Sequence, residues 1–209
     1  MTIEKLKKAH VAKKKVIEKR LREFRKMRGR EDKAIFAELA FCLCVPQTSA
    51  KKSWAAITEL ANSGELYRGK KNSISNVLLK RGVRFHNNKA DWITNARKNF
   101  SNIKFAIKNL SDPHELREWL VKNVKGMGYK LAGQFMRNIG VYDKHTILDV
   151  HILKNLQRFG VIHGIPKTIS VKRYFEIENK FIDFSRKVGI PIAHLDLLFW
   201  SNETGEIFK

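Results

Sequence analysis

One lysine and one aspartate in the second half of the chain have the side chains and the local context that covalent catalysis needs. Lys130 follows a Gly126-Met127-Gly128 turn at the expected start of a helix, and Asp149 stands at the expected N-cap of another helix. An amine nucleophile and a carboxylate can together break a glycosidic bond through a Schiff base. Taken singly, the lysine could be a surface cation and the aspartate a plain helix cap. Their order after this turn favours a catalytic role for both residues.

The turn before Lys130 is predicted to join two helices as a hairpin over residues 113–139. Gly126 and Gly128 allow backbone amides to approach an anion, and Met127 between them can anchor the turn in the core. The N-terminus of the following helix adds the positive end of its dipole. A G-x-G turn is also typical of a simple tight connection between helices, but Lys125 and Lys130 beside it favour phosphate binding.

The charge of the chain indicates a polyanionic partner. Its 209 residues include 42 Lys and Arg against 20 Asp and Glu, which gives a formal net charge of +22. Such an excess is typical of nucleic-acid binding, although charge alone leaves ribosomal RNA and acidic membranes open. No stretch reaches the ~20 apolar residues of a membrane span, and the basic N-terminus lacks an apolar leader. We therefore expect no membrane association and an intracellular location, in the cytoplasm or nucleoid.

The two cysteines are predicted to be buried thiols. Cys42 and Cys44 lie in the apolar run FCLCV, where a C-x-C pair cannot form a disulfide without distorting its helix. Two cysteines cannot supply the four thiolates of an iron–sulfur cluster, and no Cys/His set has the spacing of zinc ligands. We expect neither a metal nor an organic cofactor.

Hydrophobic periodicity and cap residues predict an all-α chain without strands or repeats. Asp112 and Pro113 form a strong helix start, Pro46 ends a buried apolar helix, and Asn87-Asn88 is expected to interrupt a helical stretch. We expect a single unit, residues 1–209, of two helical lobes. The sequence-based bounds are approximately 31–110 and 111–160 for the lobe cores, with 1–30 and 161–209 as flanking helices that complete the second lobe.

The motifs KGMGYK, FMRNIG and LDVHIL, in that order, resemble the helix-hairpin-helix DNA glycosylase superfamily. The chain is most similar to the compact archaeal-type 8-oxoguanine DNA glycosylases, whose length, FxRNxG motif and LDLxxW motif before a short tail it shares. The resemblance covers nearly the whole chain. It implies an all-α, two-lobed helix-hairpin-helix DNA glycosylase fold with the active site between the lobes. It also implies excision of 8-oxoguanine from double-stranded DNA, with abasic-site lyase activity, by a monomer.

The resemblance assigns roles to individual residues. Lys130 becomes the nucleophile at the sugar C1′, and Asp149 stabilises the developing positive charge on the sugar. Trp200 and the C-terminal Lys209 correspond to the pocket for the damaged base, and Phe85 to an aromatic that contacts the base or the opposite strand.

The hairpin residues Lys125 to Gly128 are expected to bind the DNA backbone, and Gln47 to fill the gap that the flipped nucleotide leaves. Gln47 differs from the family pattern, because Pro46-Gln47-Thr48 stands where these enzymes commonly have an Ala-Asn pair. Its position after a proline at the mouth of a helix also fits an ordinary polar loop residue.

Two other functions remain open at this point. A helix-hairpin-helix glycosylase for a different damaged base would have the same lysine and aspartate, and a panel of single-lesion duplexes separates it. A non-catalytic helix-hairpin-helix DNA-binding protein would need neither residue, so its binding would survive both substitutions without any product.

Overall fold

The computed structural model describes residues 2–142 and 145–208, and within these ranges it contains α-helices and no β-strand. The all-α class predicted from the sequence is confirmed. The helices are α1 (Ile3–Met27), α2 (Asp32–Cys44), α3 (Ala50–Asn62), α4 (Glu65–Arg68), α5 (Lys71–Lys80), α6 (His86–Lys98), α7 (Phe100–Asn109), α8 (Pro113–Asn123), α9 (Tyr129–Asn138), α10 (Val150–Arg158), α11 (Val171–Val188) and α12 (Ile192–Thr204).

The helices belong to two compact units, which differ in bounds from the lobes expected from the sequence. Residues 27–139 form one, which we call the hairpin unit because it contains α8 and α9. The described parts of residues 1–26 and 140–209 form the other, which we call the terminal unit. Lys130 therefore belongs to the hairpin unit and Asp149 to the terminal unit.

The core of the hairpin unit is built around α2. Every residue of this helix from Ile35 to Cys44 is buried, Glu38 included, and α3, α6 and α9 all pack against it. Cys42 and Cys44 on α2 are buried thiols and form no disulfide, as predicted. Burial raises the pKa of the Cys44 thiol to about 12, so it stays neutral at physiological pH.

The terminal unit packs around α12, most of which is also buried. The Phe199 ring on this helix stacks on Phe159 and Phe181, with ring centroids 5.7 and 5.6 Å apart. Offset aromatic stacking of this kind adds to the burial of apolar area. The long helix α11 supplies Phe181 and ends at Gly189, whose φ of 69° is the left-handed conformation that terminates helices.

Side chains cap the N-termini of α3, α8, α10 and α11. Asp112 caps α8 by accepting a hydrogen bond from the His114 amide at 3.1 Å, with Pro113 at the first helical position. One expected break is wrong: α6 begins at His86, so Asn87 and Asn88 lie inside it. The chain turns earlier, because Phe85 adopts a left-handed conformation with φ 57°. Among the described residues, no helix is long and apolar enough to cross a membrane.

Candidate active site and DNA-contacting loops

The hairpin turn has the geometry that the sequence predicted. α8 ends at Asn123 and α9 begins at Tyr129, and the Met127 side chain between them is buried. Gly126 has φ +84° and lies so close to the Trp92 ring of α6 that a Cβ there would overlap it. Gly128 is extended at the N-cap of α9, and a Cβ there would meet open space. Gly128 is exposed and no side chain caps α9 there, which leaves the first amides of the helix for an anion.

A shared carboxylate holds Lys125 in place at this turn. Its ammonium pairs with Asp91 of α6 at 2.9 Å, and Lys71 pairs with the other oxygen of Asp91 at 3.2 Å. Hydrogen bonds from Lys125 and Lys71 hold the pKa of Asp91 below its usual range. Because one carboxylate faces two ammonium groups, this exposed cluster keeps a positive charge that a phosphate can use.

Lys130 is the second residue of α9 and its side chain is half-buried. Within the described part of the hairpin unit, no carboxylate holds its ammonium in an ion pair. The preceding Tyr129 is fixed on α8, because its hydroxyl donates to Glu118 at 2.9 Å and the Arg117 guanidinium lies 5.7 Å from its ring centroid. The amine is thus presented from a rigid helix start rather than from a loop.

The remainder of α9 is buried, and its FxRNxG motif has a structural explanation. Asn138 donates from Nδ2 to the buried Glu38 carboxylate of α2 at 3.1 Å. Its Oδ1 in turn accepts from the Arg137 guanidinium at 3.2 Å. A buried carboxylate needs such partners. This network fixes α9, and with it the backbone that carries Lys130, against the core helix.

Asp149 caps α10, as the sequence predicted. Its Oδ1 accepts a hydrogen bond from the Ile152 amide at 2.8 Å, and the side chain is half-buried. Side chains of α11 hold the chain that leads to it, and the sequence did not predict this contact. The buried Glu178 carboxylate accepts from the amide and the hydroxyl of Thr146 at 3.0 and 3.2 Å, and the Tyr174 hydroxyl donates to the Thr146 carbonyl at 2.9 Å. The position of Asp149 is therefore fixed from both sides.

Trp200 lies near the end of α12 and is half-buried, in edge contact with the His151 ring at 6.3 Å between centroids. One face of the indole is thus supported from α10. Lys209, the other residue expected in the base pocket, lies outside the described residues.

Gln47 and Phe85 share an unusual backbone conformation. Gln47 has φ 54° and Phe85 φ 57°, and among the described residues they are the non-glycine positions in the left-handed region. Both side chains are exposed. The two turns are joined, because the Arg84 amide donates to the Thr48 hydroxyl at 3.1 Å. The structure thus brings together two residues that the sequence analysis had treated separately.

A buried lysine, which the sequence analysis also missed, lies beneath these turns. Lys89 of α6 is 1% exposed, and burial lowers its pKa to about 8. The sequence does contain a signal for it. Lys89 precedes Ile93 by four residues and Ala96 by seven, so the helical period places this lysine on the apolar face of α6.

The described residues include no group of three or more His, Cys, Asp or Glu side chains arranged to hold a metal ion. The chemistry available at these positions is that of an amine, a carboxylate, aromatic faces and backbone amides.

Comparisons with known proteins agree with one another. A family model described as 8-oxoguanine DNA glycosylase matches residues 17–190. A Fusobacterium nucleatum protein named 8-oxoguanine DNA glycosylase/AP lyase is 41% identical over 196 residues, covering 91% of this chain and 89% of that protein. The crystal structure of the 8-oxoguanine DNA glycosylase of Thermotoga maritima matches with a TM-score of 0.90 and 30% identity, over 99% of this chain and 98% of that one. The Methanocaldococcus jannaschii 8-oxoguanine glycosylase/lyase, solved in complex with a 15mer DNA containing 8-oxoguanine, matches with a TM-score of 0.91 and 33% identity over 99% of both chains.

Proposed function

This chain belongs to the 8-oxoguanine DNA glycosylase family, and from that membership we infer that it removes 8-oxoguanine from DNA and cleaves the strand at the abasic site that remains. Relatives named for both activities cover nearly the whole of it. The relative solved with DNA containing 8-oxoguanine supports DNA as the partner. The finer assignments that follow are proposals about this chain's own residues.

The position of Lys130 carries the proposed mechanism. The damaged nucleotide leaves the duplex, and the neutral Lys130 amine forms a bond to the sugar C1′ while the bond from C1′ to the base breaks. The departing base takes the electron pair and a proton. The sugar ring then opens to give a Schiff base between Lys130 and C1′. Loss of a proton from C2′ expels the 3′ phosphate by β-elimination, and water finally releases the amine.

Asp149 has a complementary electrostatic role. As the base leaves, positive charge develops on the sugar, and a carboxylate fixed at a helix N-cap can stabilise that charge without reorganising. Its hydrogen bond with the Ile152 amide supports this role, because it leaves the other carboxylate oxygen available. The hydrogen bond from the Thr146 amide to the buried Glu178 carboxylate keeps Asp149 in place.

Recognition of the lesion is assigned to residues of the terminal unit. 8-Oxoguanine carries a hydrogen on N7 where guanine has an acceptor, so a facing acceptor attracts the lesion and repels guanine. Trp200 supplies a supported aromatic face for stacking. Lys209 completes the proposed pocket.

Gap filling, contact with the opposite strand and phosphate binding are assigned to residues of the hairpin unit. Gln47 fills the gap left by the flipped nucleotide, and Phe85 contacts the strand opposite the lesion. Lys125 and the amides of the Gly126-Met127-Gly128 turn grip the phosphates. We further propose that the chain acts as a monomer on DNA, in the cytoplasm or nucleoid.

Borohydride trapping on a duplex with one 8-oxoguanine tests the substrate and the nucleophile together. The wild type is expected to form a covalent adduct, and Lys130→Gln to form none while still binding the duplex. Lys122→Gln is the matched control, because it removes the same charge from the exposed end of α8. It should bind slightly less tightly at low salt and still trap.

The remaining outcomes separate the alternatives. Trapping on an abasic duplex but not on the 8-oxoguanine duplex would support the lyase activity. It would also show that the enzyme excises a different damaged base. Undiminished trapping by Lys130→Gln would refute Lys130 as the nucleophile. Binding without any trapping on either substrate would leave a monofunctional glycosylase or a DNA-binding function.

A further inference from the structure

Two exposed residues of the hairpin unit are held in a conformation that L-amino acids rarely adopt. Gln47 and Phe85 have φ 54° and 57°, and Phe85 is 50% exposed. A left-handed backbone costs a residue with a side chain about 1–2 kcal/mol. Since neither side chain is buried, packing of the strained residues themselves does not offset this cost. Contacts from neighbouring residues must therefore hold both turns, and backbone strain held in this way is concentrated at functional sites.

Lys89 supplies the contacts beneath the Gln47 turn. Its ammonium donates to the Cys44 carbonyl at 2.6 Å, to the Pro46 carbonyl at 2.7 Å and to the Thr48 hydroxyl at 3.0 Å. An ammonium has three donors, so all of them are used on the segment that contains Gln47. The lysine comes from α6, more than forty residues further along the chain. It therefore connects the turn to a core helix.

The charge of Lys89 is costly where it lies. It is 1% exposed, and among the described residues no carboxylate pairs with it. Burial, and to a lesser extent the nearby Arg84 guanidinium, lowers its pKa to about 8. An apolar side chain of similar length would fill the space at lower cost in desolvation. A lysine at this position is therefore explained by the backbone geometry that its three hydrogen bonds fix, and not by a gain in folding stability.

Thr48 extends this clamp to the second turn. Its Oγ1 accepts from Lys89 and also from the backbone amide of Arg84, the residue before Phe85. The Arg84 guanidinium lies over the Phe85 ring, 5.4 Å from its centroid. The Lys89 ammonium and the Thr48 hydroxyl thus connect the turns at Gln47 and Phe85 to α6. We call Gln47 and Phe85 together the probing edge.

We propose that Lys89 is a positioning residue that holds the probing edge in the shape needed to enter duplex DNA opposite the lesion. The inference rests on the proposed function, in which Gln47 fills the gap and Phe85 meets the opposite strand. It means that recognition of the duplex depends on a residue, Lys89, that does not itself contact DNA. Replacing Lys89 should slow base excision from a duplex, where a gap must be filled. It should slow Schiff-base formation by Lys130 on an unpaired strand much less.

The experiment compares two single-turnover reactions of each variant. Excision from a duplex with one 8-oxoguanine reports entry into the duplex and chemistry, whereas borohydride trapping on a single-stranded abasic oligonucleotide reports the Lys130 amine without a partner strand. Lys89→Met is expected to slow duplex excision by at least about tenfold and to change single-strand trapping by less than about threefold. Thr48→Val, which removes only the shared acceptor, should show the same split to a smaller extent.

Ser53→Ala is the matched control for a general loss of packing. Its hydroxyl is buried and donates to the Cys44 carbonyl at 3.2 Å, so its removal disturbs one acceptor of Lys89 but neither Pro46 nor Thr48. It should keep the wild-type ratio of the two rates. In a double-mutant cycle, Lys89→Met should add little to Gln47→Ala, because residues that act through one another are not additive.

Each outcome decides between a positioning and a purely structural role. Equal losses in both reactions, additive effects with Gln47→Ala, or an unchanged duplex rate in Lys89→Met would overturn the inference. If Lys89→Met does not fold, the same criteria apply to Thr48→Val. Failure of the wild type itself to excise from the duplex, with trapping on the abasic strand intact, would instead refute the proposed substrate, and the inference with it.

Discussion

Replacing the two glycines of the hairpin by alanine, one at a time, is a demanding test of the site geometry. The two substitutions add the same methyl group two residues apart. At Gly126 the new Cβ would overlap the Trp92 ring, and the backbone there has φ +84°. At Gly128 the backbone is extended and the methyl would meet no protein atom within 4 Å.

The structure predicts different costs for the two changes. For Gly126→Ala, the left-handed backbone contributes about 1–2 kcal/mol and displacement of a packed indole about 1–3 kcal/mol. The expected loss in the free energy of unfolding is therefore about 2–5 kcal/mol. For Gly128→Ala, the lower entropy of the unfolded chain and the weaker N-cap oppose each other. Its stability should stay within about 1 kcal/mol of the wild type.

DNA binding should separate the two variants in another way. Urea unfolding measures stability, and fluorescence anisotropy with a short labelled duplex measures affinity. Gly126→Ala should lose stability, and its affinity should fall because the Trp92 support of the turn shifts. Gly128→Ala should keep its stability and lose affinity, because the methyl stands where the amides at the start of α9 approach a phosphate.

Two results would refute this reasoning. If Gly126→Ala is as stable as the wild type, the turn does not pack on Trp92 as described. If Gly128→Ala binds the duplex as tightly as the wild type, its amides do not contact the phosphates, and the grip must come from side chains such as Lys125.

Two further predictions concern a carboxylate and a buried amine. Asp149→Asn should slow base excision by roughly 10²-fold or more while stability is kept, since asparagine also caps helices; a wild-type single-turnover rate would contradict the role given to Asp149. Lys89 has a folded pKa of about 8 against an ordinary value of 10.5, so above pH 8 the folded protein releases this proton before the unfolded chain does. The wild type should therefore gain stability relative to Lys89→Met as pH rises from about 8 to about 10, by up to about 1.4 kcal/mol per pH unit. Urea unfolding of both proteins at about pH 7.5 and about pH 9.5 checks the sign, and parallel pH dependences would show that Lys89 does not titrate in this window.

Signals contained in short stretches of sequence were read correctly. Asp112 and Asp149 each cap a helix through a bond to an amide two or three residues ahead. Such bonds depend on neighbours along the chain, so residue type and spacing are sufficient to predict them. The hairpin, the start of α9 at Tyr129 and the buried thiols were predicted for the same reason. The assignment of Lys130 and Asp149 to chemistry remains a prediction that the trapping experiment tests.

Contacts between residues far apart in the sequence were not predicted. Lys89 bonds residues more than forty positions earlier, and Asn138 bonds Glu38 one hundred positions earlier. Nothing in the local pattern specifies such partners, because they are chosen by which helices pack together. The start of α6 was also misplaced, since Phe85 takes a left-handed conformation that its residue type disfavours and that neighbouring contacts hold.

The sequence by itself determined the helices, the hairpin and the order of a lysine and a capping aspartate, because periodicity and capping act over a few residues. Only the tertiary structure decided what holds these groups in place. The Glu38 to Asn138 bond fixes α9, the Glu178 clamp on Thr146 fixes the approach to Asp149, and Lys89 holds the Gln47 turn. Each of the three is a buried polar contact between distant segments. Its strength depends on the exclusion of water, and that exclusion exists only once the helices have packed.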